Sequence, residues 1–283
     1  MRIAHLILAH KGPAQLARLL GALAHPDVDC FVHIDHKINP APFAFLRGRP
    51  GVFFPRTSLS VTWGGYSLTE VVLKCMREIL AHAPNYEFIN VLSAQDYPLR
   101  PAAGVLAFLA QYRGASFIEC EAPGSAWWQA NQRRVTHYHL TEFQFPGRYA
   151  VQKVLNTMLP DRQFPLKGSL HGGPMAGWYT LSRAAAEYVV DFVAEHPRLR
   201  RFALLTWGSD EFLVPTILRN SPLHASIHNN NLRYIDWSCG GFSPKILAST
   251  DFTALRASPK LWARKFDIEV DAAILDKLDQ NRQ

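Results

Sequence analysis

Two neighbouring acidic residues are the first candidates for chemistry in this sequence. Asp210 and Glu211 are predicted to lie in the first turn of a helix over 210–218, for which Ser209 is a suitable N-cap. Carboxylates in a first turn can simply be stabilised by the helix dipole, by about 0.3–1 kcal/mol. A carboxylate held within hydrogen-bond reach of a hydroxyl can instead take its proton as a general base. These residues alone leave both interpretations open.

A second group of candidates is cationic. Lys245 lies in the sequence SPK, and Arg264 and Lys265 lie together in WARKFD. Isolated lysines and arginines are usually solvated. A departing nucleoside diphosphate, however, needs its developing charge neutralised by a divalent metal or by fixed cations. These three side chains could supply that charge without a metal.

The sequence offers no clear pattern for a catalytic metal or for another cofactor. Manganese-dependent nucleotide-sugar transferases present an Asp-x-Asp pair after a strand, whereas the stretches around Asp35 and Asp96 each contain a single acid. The 12 histidines form no HExxH pattern, and GxSxG, GxxxxGK(S/T) and GxGxxG are absent as well. We therefore expect neither a metal nor a cofactor. The 4 cysteines form no CxxC pair, which favours reduced structural thiols.

The first third of the chain alternates between predicted strands and helices. Buried-strand patterns cover 3–9, 30–34 and 86–92, and apolar residues at helical spacing cover 13–23 and 68–82, with Ser67 as a suitable N-cap. Such repetition predicts an α/β fold in which helices flank a mostly parallel, Rossmann-like sheet.

The residues that follow the predicted strands are polar. His10 and Lys11 follow the first strand, 35–37 the second and 93–96 the third. Ligands of open parallel sheets bind beyond the carboxyl ends of the strands. We therefore expect a ligand site at this edge of the sheet.

The remainder of the chain is less regular. From 117 to 170 the periodicity weakens, and we expect a loop-rich, functional segment. The side chains that suggest a function there are Glu119, Glu121, Trp127, Trp128, Arg133, Arg134, His137 and His139. Beyond it, a strand is predicted over 177–182, a helix over 183–195 and a short amphipathic helix over 271–278.

Charge and hydropathy limit the partners and the location. A net charge of +7 and a pI near 9.3 indicate a surface that attracts nucleic acid, an anionic membrane or a phosphate-bearing ligand. The cations gather only in short groups, so we expect no nucleic-acid binding. The apolar N-terminal stretch is too short for a signal peptide, and no later segment is long enough to span a bilayer. We expect a cytoplasmic protein whose basic surface allows peripheral contact with the inner membrane face.

Nine stretches, in this order, resemble the core-2/I-branching β-1,6-N-acetylglucosaminyltransferase family. This family, glycosyltransferase family 14, also contains the peptide O-xylosyltransferases. The stretches are LILAHKGPAQLARLLGAL, FVHIDHK, VTWGGYSLTE, FINVLSAQDYPLR, GWYTLSR, SDEFLVPTILRNS, LRYIDW, SPKIL and ASPKLWARKFD. They cover most of the chain outside its irregular middle, and it is their combination that makes the resemblance specific.

The resemblance implies a GT-A type fold and an inverting, metal-independent transfer of a sugar from a UDP-sugar to an acceptor hydroxyl. The family's catalytic glutamate falls on Glu211, and its phosphate-binding lysine falls on Lys265. The other residues assigned to the nucleotide-sugar site are His10, Lys11, Asp35, Trp63, Gly64, Lys245 and Arg264. Those assigned to the acceptor site are Asp96, Glu119, Glu121, Arg133, Arg134, Asp210 and Trp237, the last as a stacking aromatic.

The resemblance also implies one GT-A domain over 1–283, with a nucleotide-binding half at 1–115 and an acceptor-binding, catalytic half at 116–283. Some family members grip the diphosphate with an arginine where this chain has Phe242, and Lys245 is expected to replace it. We expect no membrane anchor and no luminal cysteine framework, which implies a bacterial-type member with a glycan or lipid-linked acceptor.

Two alternatives remain open from the sequence. The donor sugar can be GlcNAc or xylose, since the sequence does not show the pocket that would distinguish them. The chain can also be a non-catalytic protein that binds a nucleotide sugar or a glycan. Such a protein would have little reason to retain Glu211 together with its basic partners.

Overall fold

The computed structural model describes residues 1–82, 86–241 and 243–282. Its strands are β1 (Arg2–Ala9), β2 (Val28–Ile34), β3 (Val52–Phe53), β4 (Tyr86–Ser93), β5 (Asp96–Pro98), β6 (Ser116–Phe117), β7 (Thr180–Ser182), β8 (Ile227–His228), β9 (Arg233–Ile235) and β10 (Trp262–Arg264). Its helices are α1 (Pro13–Leu23), α2 (Tyr66–His82), α3 (Ala102–Ala110), α4 (Ala126–Asn131), α5 (Arg133–Thr136), α6 (Arg148–Met158), α7 (Arg183–Glu195), α8 (Pro197–Leu204), α9 (Leu213–Arg219), α10 (Phe252–Ala257) and α11 (Ala273–Asn281). Short 3-10 turns cover Ala41–Leu46, Ser209–Glu211, His224–Ser226 and Ser249–Asp251.

The chain divides into two compact units. The first contains Met1–Ser58, Ala81–Gly114 and Leu232–Gln283, and the second contains Leu59–Leu80 and Ala115–Asn231. The predicted halves, 1–115 and 116–283, agree with these units only in part. Residues from Leu232 onward belong to the first unit because β10 pairs with both β5 and β9. That the chain forms a single domain stays a prediction.

The first unit is built on four parallel strands in the order β3-β2-β1-β4. Seven of the eight residues of β1 are buried, which is why its sequence is a continuous apolar run rather than an alternating one. The register aligns the carboxyl ends, since Leu8 pairs with Ser93 and Ala9 pairs with Ile34. The α/β class and the parallel sheet predicted from the sequence are confirmed.

Helix α1 has the predicted bounds because several local signals agree. Pro13 occupies the first helical position, where a missing N–H costs nothing. Its leucines recur at helical spacing and are buried. Gln15 is buried as well, and its amide donates to Ala94 O at 3.2 Å and to Phe266 O at 2.9 Å. This side chain therefore ties α1 to the loop after β4 and to the segment after β10.

The first unit also contains a three-stranded sheet in the order β5-β10-β9. Arg233 of β9 is buried and donates to Asn90 Oδ1 at 2.5 Å and to Val91 O at 2.6 Å. Because Asn90 and Val91 belong to β4, this guanidinium fixes the small sheet against the parallel one.

The second unit contains a short sheet in the order β7-β6-β8, with β6 antiparallel to β7 and parallel to β8. Helix α7 follows β7 directly, and Ser182 caps it by accepting a hydrogen bond from Ala185 N. One apolar cluster of this unit consists of Trp128, Val135, Phe202 and Phe212, with Trp127, Phe164 and Leu170 packed against it.

Several predicted elements need correction. Most of the segment 117–170 lies outside regular elements, as predicted, but it also contains three helices that were not predicted, α4, α5 and α6. Ser67 does not cap α2, which begins at Tyr66; the Ser67 hydroxyl instead accepts from Thr62 N at 2.8 Å. The predicted strand 177–182 is only three residues long, and the last helix runs from Ala273 to Asn281 rather than over 271–278.

The predicted helix 210–218 is wrong at its start. Residues Ser209–Glu211 form a 3-10 turn, and α9 begins only at Leu213. The residue before the turn is Gly208, with a left-handed φ of 68°, rather than a serine cap. Phe212 interrupts the helical backbone between the turn and α9. Glu211 therefore lies in a separate turn and not on a regular helix.

Across 1–82, 86–241 and 243–282, no helix has both the length and the apolar composition needed to cross a bilayer.

Candidate functional site

The turn that carries Glu211 is held from both sides within the second unit. On one side, Ser209 is buried and its hydroxyl lies 3.0 Å from the hydroxyl of Thr69 on α2. On the other side, Gly173 N donates to Glu211 O at 3.0 Å, and Glu121 N donates to Gly172 O at 2.8 Å. The Gly172-Gly173 dipeptide thus joins the backbone of Glu121 to that of Glu211.

The carboxylate of Glu211 forms an ion pair with Arg134 Nη1. Both side chains are largely shielded, with 24% of Glu211 and 15% of Arg134 exposed. Burial raises the pKa of Glu211, and the positive charge of Arg134 opposes that rise. A carboxylate whose pKa is raised towards neutrality is suited to accept a proton, which is the property a general base needs.

Two tryptophans hold the guanidinium of Arg134. It lies 4.0 Å from the ring centre of Trp207 and 5.3 Å from that of Trp127. Cation–π contacts of this kind are worth about 0.5–2 kcal/mol. Because the two rings fix the guanidinium, they also fix the position of the positive charge that faces Glu211.

Two glycines permit this packing. Gly208 N donates to Gly64 O at 2.8 Å. A Cβ on Gly64 would lie 3.0 Å from Trp207 Cδ1, and one on Gly208 would lie 3.0 Å from Arg134 Nη1. Trp63 is 64% exposed and meets Trp207 edge to face at 5.6 Å. Trp63 and Gly64, predicted for the nucleotide sugar, therefore belong to the surroundings of Trp207 and Arg134.

The backbone of Gly172 offers a direct test of this arrangement. A Cβ there would lie 2.6 Å from Phe212 Cβ and 2.9 Å from Phe212 Cα, so Gly172→Ala should lower the free energy of unfolding by about 1–3 kcal/mol. The matched control is Gly21→Ala in α1, where nothing lies within 4 Å, and there we expect no loss. Denaturant unfolding of both variants measures the difference. Equal stability of the two would contradict the packing.

The other acceptor residues predicted in the second unit lie on different features. Glu119 Oε2 accepts from Asn231 N at 3.5 Å, and Glu121 is exposed. Arg133 is also exposed, with its carbonyl 2.9 Å from His139 Nε2. Asp210 is half-buried, and a Cβ on Gly177 would lie 3.1 Å from its Oδ2. Among the residues predicted for the acceptor site, Arg134 pairs directly with Glu211. Acceptor binding by these residues stays a prediction.

The first unit contains a group of cations at the predicted edge of its sheet. Lys265 Nζ donates to Ser243 Oγ at 2.5 Å. Burial lowers the pKa of Lys265, and the neighbouring charges of Arg264 and Lys11 lower it further. Lys11 Nζ lies 2.6 Å from Asp267 Oδ2, which offsets its own charge. Binding of an anion beside Lys265 would relieve this mutual repulsion.

Arg264 and Asp96 are both buried, with Arg264 Nε 3.5 Å from Asp96 Oδ1. Burial raises the pKa of Asp96, and the charges of Arg264 and Arg233 oppose the rise. Asp96 also accepts a hydrogen bond from Ser93 N at 3.1 Å. In this structure both predicted site residues are directed into the fold of the first unit. Their contacts with ligands stay predictions.

Lys245 differs from Lys265 in its partners. Its Nζ lies 2.6 Å from Asp251 Oδ1 and 3.9 Å from Asp236 Oδ2. The hydrogen bond to Asp251 raises the pKa of Lys245. Two carboxylates therefore offset the charge that was expected to replace the missing arginine. Phe242, where that arginine would stand, lies outside the described residues.

The remaining predicted residues of the first unit are His10, Asp35 and Trp237. His10 is exposed and directly follows β1. Asp35 is buried and accepts from Lys37 N at 3.0 Å, while Asp35 N donates to Ala9 O at 2.9 Å. Trp237 is half-buried. The ends of β1 and β2 therefore meet as the sequence predicted.

Within the described part of the chain, no three His, Cys, Asp or Glu side chains are grouped so that they could hold a metal ion.

The structure is that of an α/β protein with a shielded carboxylate in its second unit and a group of cations in its first. The family model described as Core-2/I-branching enzyme matches residues 3–256. The chain belongs to this family, and its GT-A type fold class is as predicted. Membership supports an enzyme of the glycosyltransferase class.

Individual relatives agree in class. The chain is 29% identical over 306 residues to Xylosyltransferase 2 of Rattus norvegicus, covering 99% of this chain and 33% of that protein. It is 28% identical over 305 residues to Xylosyltransferase 1 of the same organism, covering 99% and 35%. The chain thus spans about a third of the length of these curated relatives. The crystal structure of mouse Xyloside xylosyltransferase 1 in its apo form matches with a TM-score of 0.43 and 11% identity, covering 93% of this chain and 97% of that one.

Sequence reasoning missed some residues around Glu211. No motif in the sequence links Trp207 to Arg134, and Trp127 was predicted to be functional without a partner being identified. Gly172 and Gly173 carried a signal that could have been used, because adjacent glycines before GWYTLSR suggest a close backbone approach. The pairing of Arg134 with Glu211 had no local signal, since the residues are 77 positions apart.

Proposed function

We propose that this chain is an inverting, metal-independent glycosyltransferase that moves GlcNAc or xylose from a UDP-sugar to an acceptor hydroxyl. Family membership supports the class of reaction. The names of the relatives, which are xylosyltransferases, favour xylose as the first donor to test. The observation that carries the mechanism is the shielded carboxylate of Glu211, with its raised pKa and its cationic partner.

The proposed reaction is a single displacement. Glu211 takes the proton of the acceptor hydroxyl while that oxygen attacks the anomeric carbon of the sugar. The bond from that carbon to the diphosphate oxygen breaks, and its electron pair leaves with UDP. One new glycosidic bond replaces one phosphoester bond, and attack opposite to the leaving group inverts the anomeric centre. The step needs one base and no covalent intermediate.

The cations of the first unit support the leaving-group part of the proposal. UDP departs with additional negative charge, which fixed cations can stabilise in place of a metal. Lys265 fits this role because its Nζ donates to a hydroxyl and because burial, Arg264 and Lys11 lower its pKa more than Asp267 raises it. Lys245 and Arg264 each face carboxylates, so their charges are already offset.

A panel of UDP-sugars, assayed for UDP release with EDTA present, tests the proposal. We expect one donor to release UDP, and EDTA should not diminish this release. The release should rise when acceptor hydroxyls are supplied and should collapse in Glu211→Gln. Loss of release in EDTA that returns with manganese would overturn metal independence. Tight binding of a UDP-sugar without release, across a broad acceptor panel, would favour the non-catalytic alternative.

The ion pair with Arg134 predicts a pH effect. Because Arg134 opposes the rise in the pKa of Glu211, Arg134→Met should raise that pKa further. The base must be ionised, so the acidic limb of kcat/KM against pH should shift to higher pH. Arg198→Met, an equal change of charge at an exposed position of α8, is the control. An acidic limb that stays in place or moves to lower pH in Arg134→Met would contradict the assignment.

A further inference from the structure

Arg162 is a buried cation that pairs with no carboxylate in the described part of the chain. The neighbouring Asp161 is 75% exposed and lies 3.8 Å from His137 Nδ1 instead. Burial lowers the pKa of Arg162 to about 10, so its guanidinium still carries a charge at neutral pH. An unpaired charge is unfavourable in a protein interior unless hydrogen bonds satisfy it. The contacts of this guanidinium therefore show why it is buried.

The guanidinium lies at the carbonyl end of α8. Its Nη2 donates to Phe202 O at 2.5 Å, and its Nη1 donates to Leu205 O at 2.5 Å and to Thr206 Oγ1 at 3.1 Å. The ring centre of Phe202 is 3.8 Å from the guanidinium carbon. The end of a helix leaves carbonyl groups with partial negative charge, which a cation stabilises. Arg162 thus fixes the residues that lead from α8 to Trp207.

The same residue fixes the end of α5. Arg162 Nη1 donates to His137 O at 3.1 Å, and the backbone N of Arg162 donates to Thr136 O at 2.7 Å. The ring centre of Tyr138 lies 5.2 Å from the guanidinium carbon. One residue therefore joins the ends of two helices that are distant in the sequence.

These two helix ends lead to the partners of Glu211. Arg134 lies on α5 two positions before Thr136, and Trp207 directly follows Thr206. The guanidinium of Arg134 lies 4.0 Å from the ring centre of Trp207 and pairs with Glu211. A change in the separation of the two helix ends would therefore change how Arg134 faces Glu211.

We propose that Arg162 is a positioning residue that holds Arg134 against Glu211 by bridging the ends of α5 and α8. This inference rests on the proposed role of Glu211 as the base. Arg162 acts through geometry, since the pKa of Glu211 responds to burial and to Arg134. Other titratable side chains on the segments bonded to the turn of Glu211, all retained in the variants below, are Glu70, Glu121, Arg133, His171 and Asp210.

The carboxyl carbon of Glu211 reports this geometry directly. When the full chain is labelled with carbon-13 at its glutamate carboxyls, the NMR signal of Glu211 is the one missing from Glu211→Gln. Its pH titration gives the pKa without any turnover. Arg134→Met should raise this pKa, because the charge of Arg134 opposes the rise caused by burial. Arg162→Met should shift the pKa in the same direction, because Arg134 is then no longer held in place.

The double variant Arg134→Met/Arg162→Met tests whether the two residues act together. If Arg162 works through Arg134, Glu211 should titrate in the double variant as it does in Arg134→Met alone. A larger shift in the double variant would mean that Arg162 acts on Glu211 independently, which would overturn the proposal.

Two further variants separate positioning from stability. Val189→Ala removes buried volume on α7 and should lower the melting temperature without changing the pKa of Glu211. Thr206→Val removes one acceptor of Arg162 with little change in shape, and its shift should be smaller than that of Arg162→Met but in the same direction. If Arg162→Met does not fold, Thr206→Val decides alone. A wild-type titration of Glu211 in the folded variant, Arg162→Met or else Thr206→Val, would leave Arg162 with a merely structural role.

Kinetics distinguish a failure of this inference from a failure of the proposed function. Arg162→Met should lower kcat by about 10- to 100-fold, because the base and its partner lose their alignment, while the affinity of UDP in calorimetry should change little. If the wild type transfers no sugar, the proposed function fails and the titration still decides the positioning. If the wild type is active but Glu211 titrates identically in Arg162→Met, the positioning fails and the proposed function stands.

Discussion

Glu211→Gln should lower kcat by about 10²–10⁴-fold, the usual contribution of a positioned general base. The amide has nearly the same shape as the carboxylate but cannot take a proton at neutral pH. The turn Ser209–Glu211 is held through backbone contacts and the hydroxyl of Ser209, so it does not depend on the charge of Glu211. The loss should therefore lie in chemistry and not in folding. Steady-state UDP release with donor and acceptor both present measures it.

The control separates chemistry from binding. The affinity of UDP, measured by calorimetry, should change little in Glu211→Gln, because the proposed base acts on the acceptor. Glu187→Gln removes a carboxylate that pairs with Arg183 on the surface of α7 and should leave kcat unchanged. If Glu211→Gln keeps more than a third of the wild-type kcat, another group must be the base. A parallel loss of UDP affinity would instead indicate a damaged fold.

The parts of the fold that the sequence predicted are those in which local signals agree with each other. Helix α7 has its predicted bounds because its apolar spacing is regular and Ser182 stands at the N-cap position. Helix α1 combines Pro13 with buried leucines in the same way. The parallel strands were recognisable because burial on both faces gives continuous apolar runs.

The elements that were not predicted correctly depend on contacts between residues that are distant in the sequence. Helix α6 was missed although Val151, Val154, Leu155 and Met158 follow helical spacing. Its contacts could not be foreseen, because Gln152 and Asn156 bond to the backbone near 138–140. The turn of Glu211 was predicted to be helical, because neither the left-handed Gly208 nor the break at Phe212 can be recognised from the spacing of apolar residues.

The candidate site was predictable by residue type but not by partner. The resemblance picked out Glu211 and Lys265 as single positions, and the side chains that control their pKa values came only from the structure. For Glu211 these effects are burial and Arg134, and for Lys265 they are burial and the nearby cations. Asp96 and Lys245 are the opposite case. Their residue types suited a binding site, but in the structure each forms an ion pair with another side chain of the protein.

Lys265→Ala should lower kcat/KM for the UDP-sugar by about 10- to 100-fold, the range expected when a charged hydrogen-bond donor to an anion is removed. Ser243, which accepts from Lys265, is exposed, so its hydroxyl can turn to water and the fold should survive. UDP should also bind more weakly in this variant. Lys265→Arg keeps the charge and should recover part of the loss. Initial rates across donor concentrations and calorimetry with UDP measure both effects.

Lys245→Ala provides the contrast that decides which lysine carries the diphosphate. Because Asp251 and Asp236 already offset its charge, removing Lys245 should weaken donor binding less than removing Lys265 does. Its main effect should be on stability, since Asp251 would lose a partner at 2.6 Å. A larger loss of UDP affinity in Lys245→Ala than in Lys265→Ala would reverse the assignment. It would mean that the ion pair with Asp251 opens when the nucleotide binds, and that Lys245 does replace the arginine of other family members.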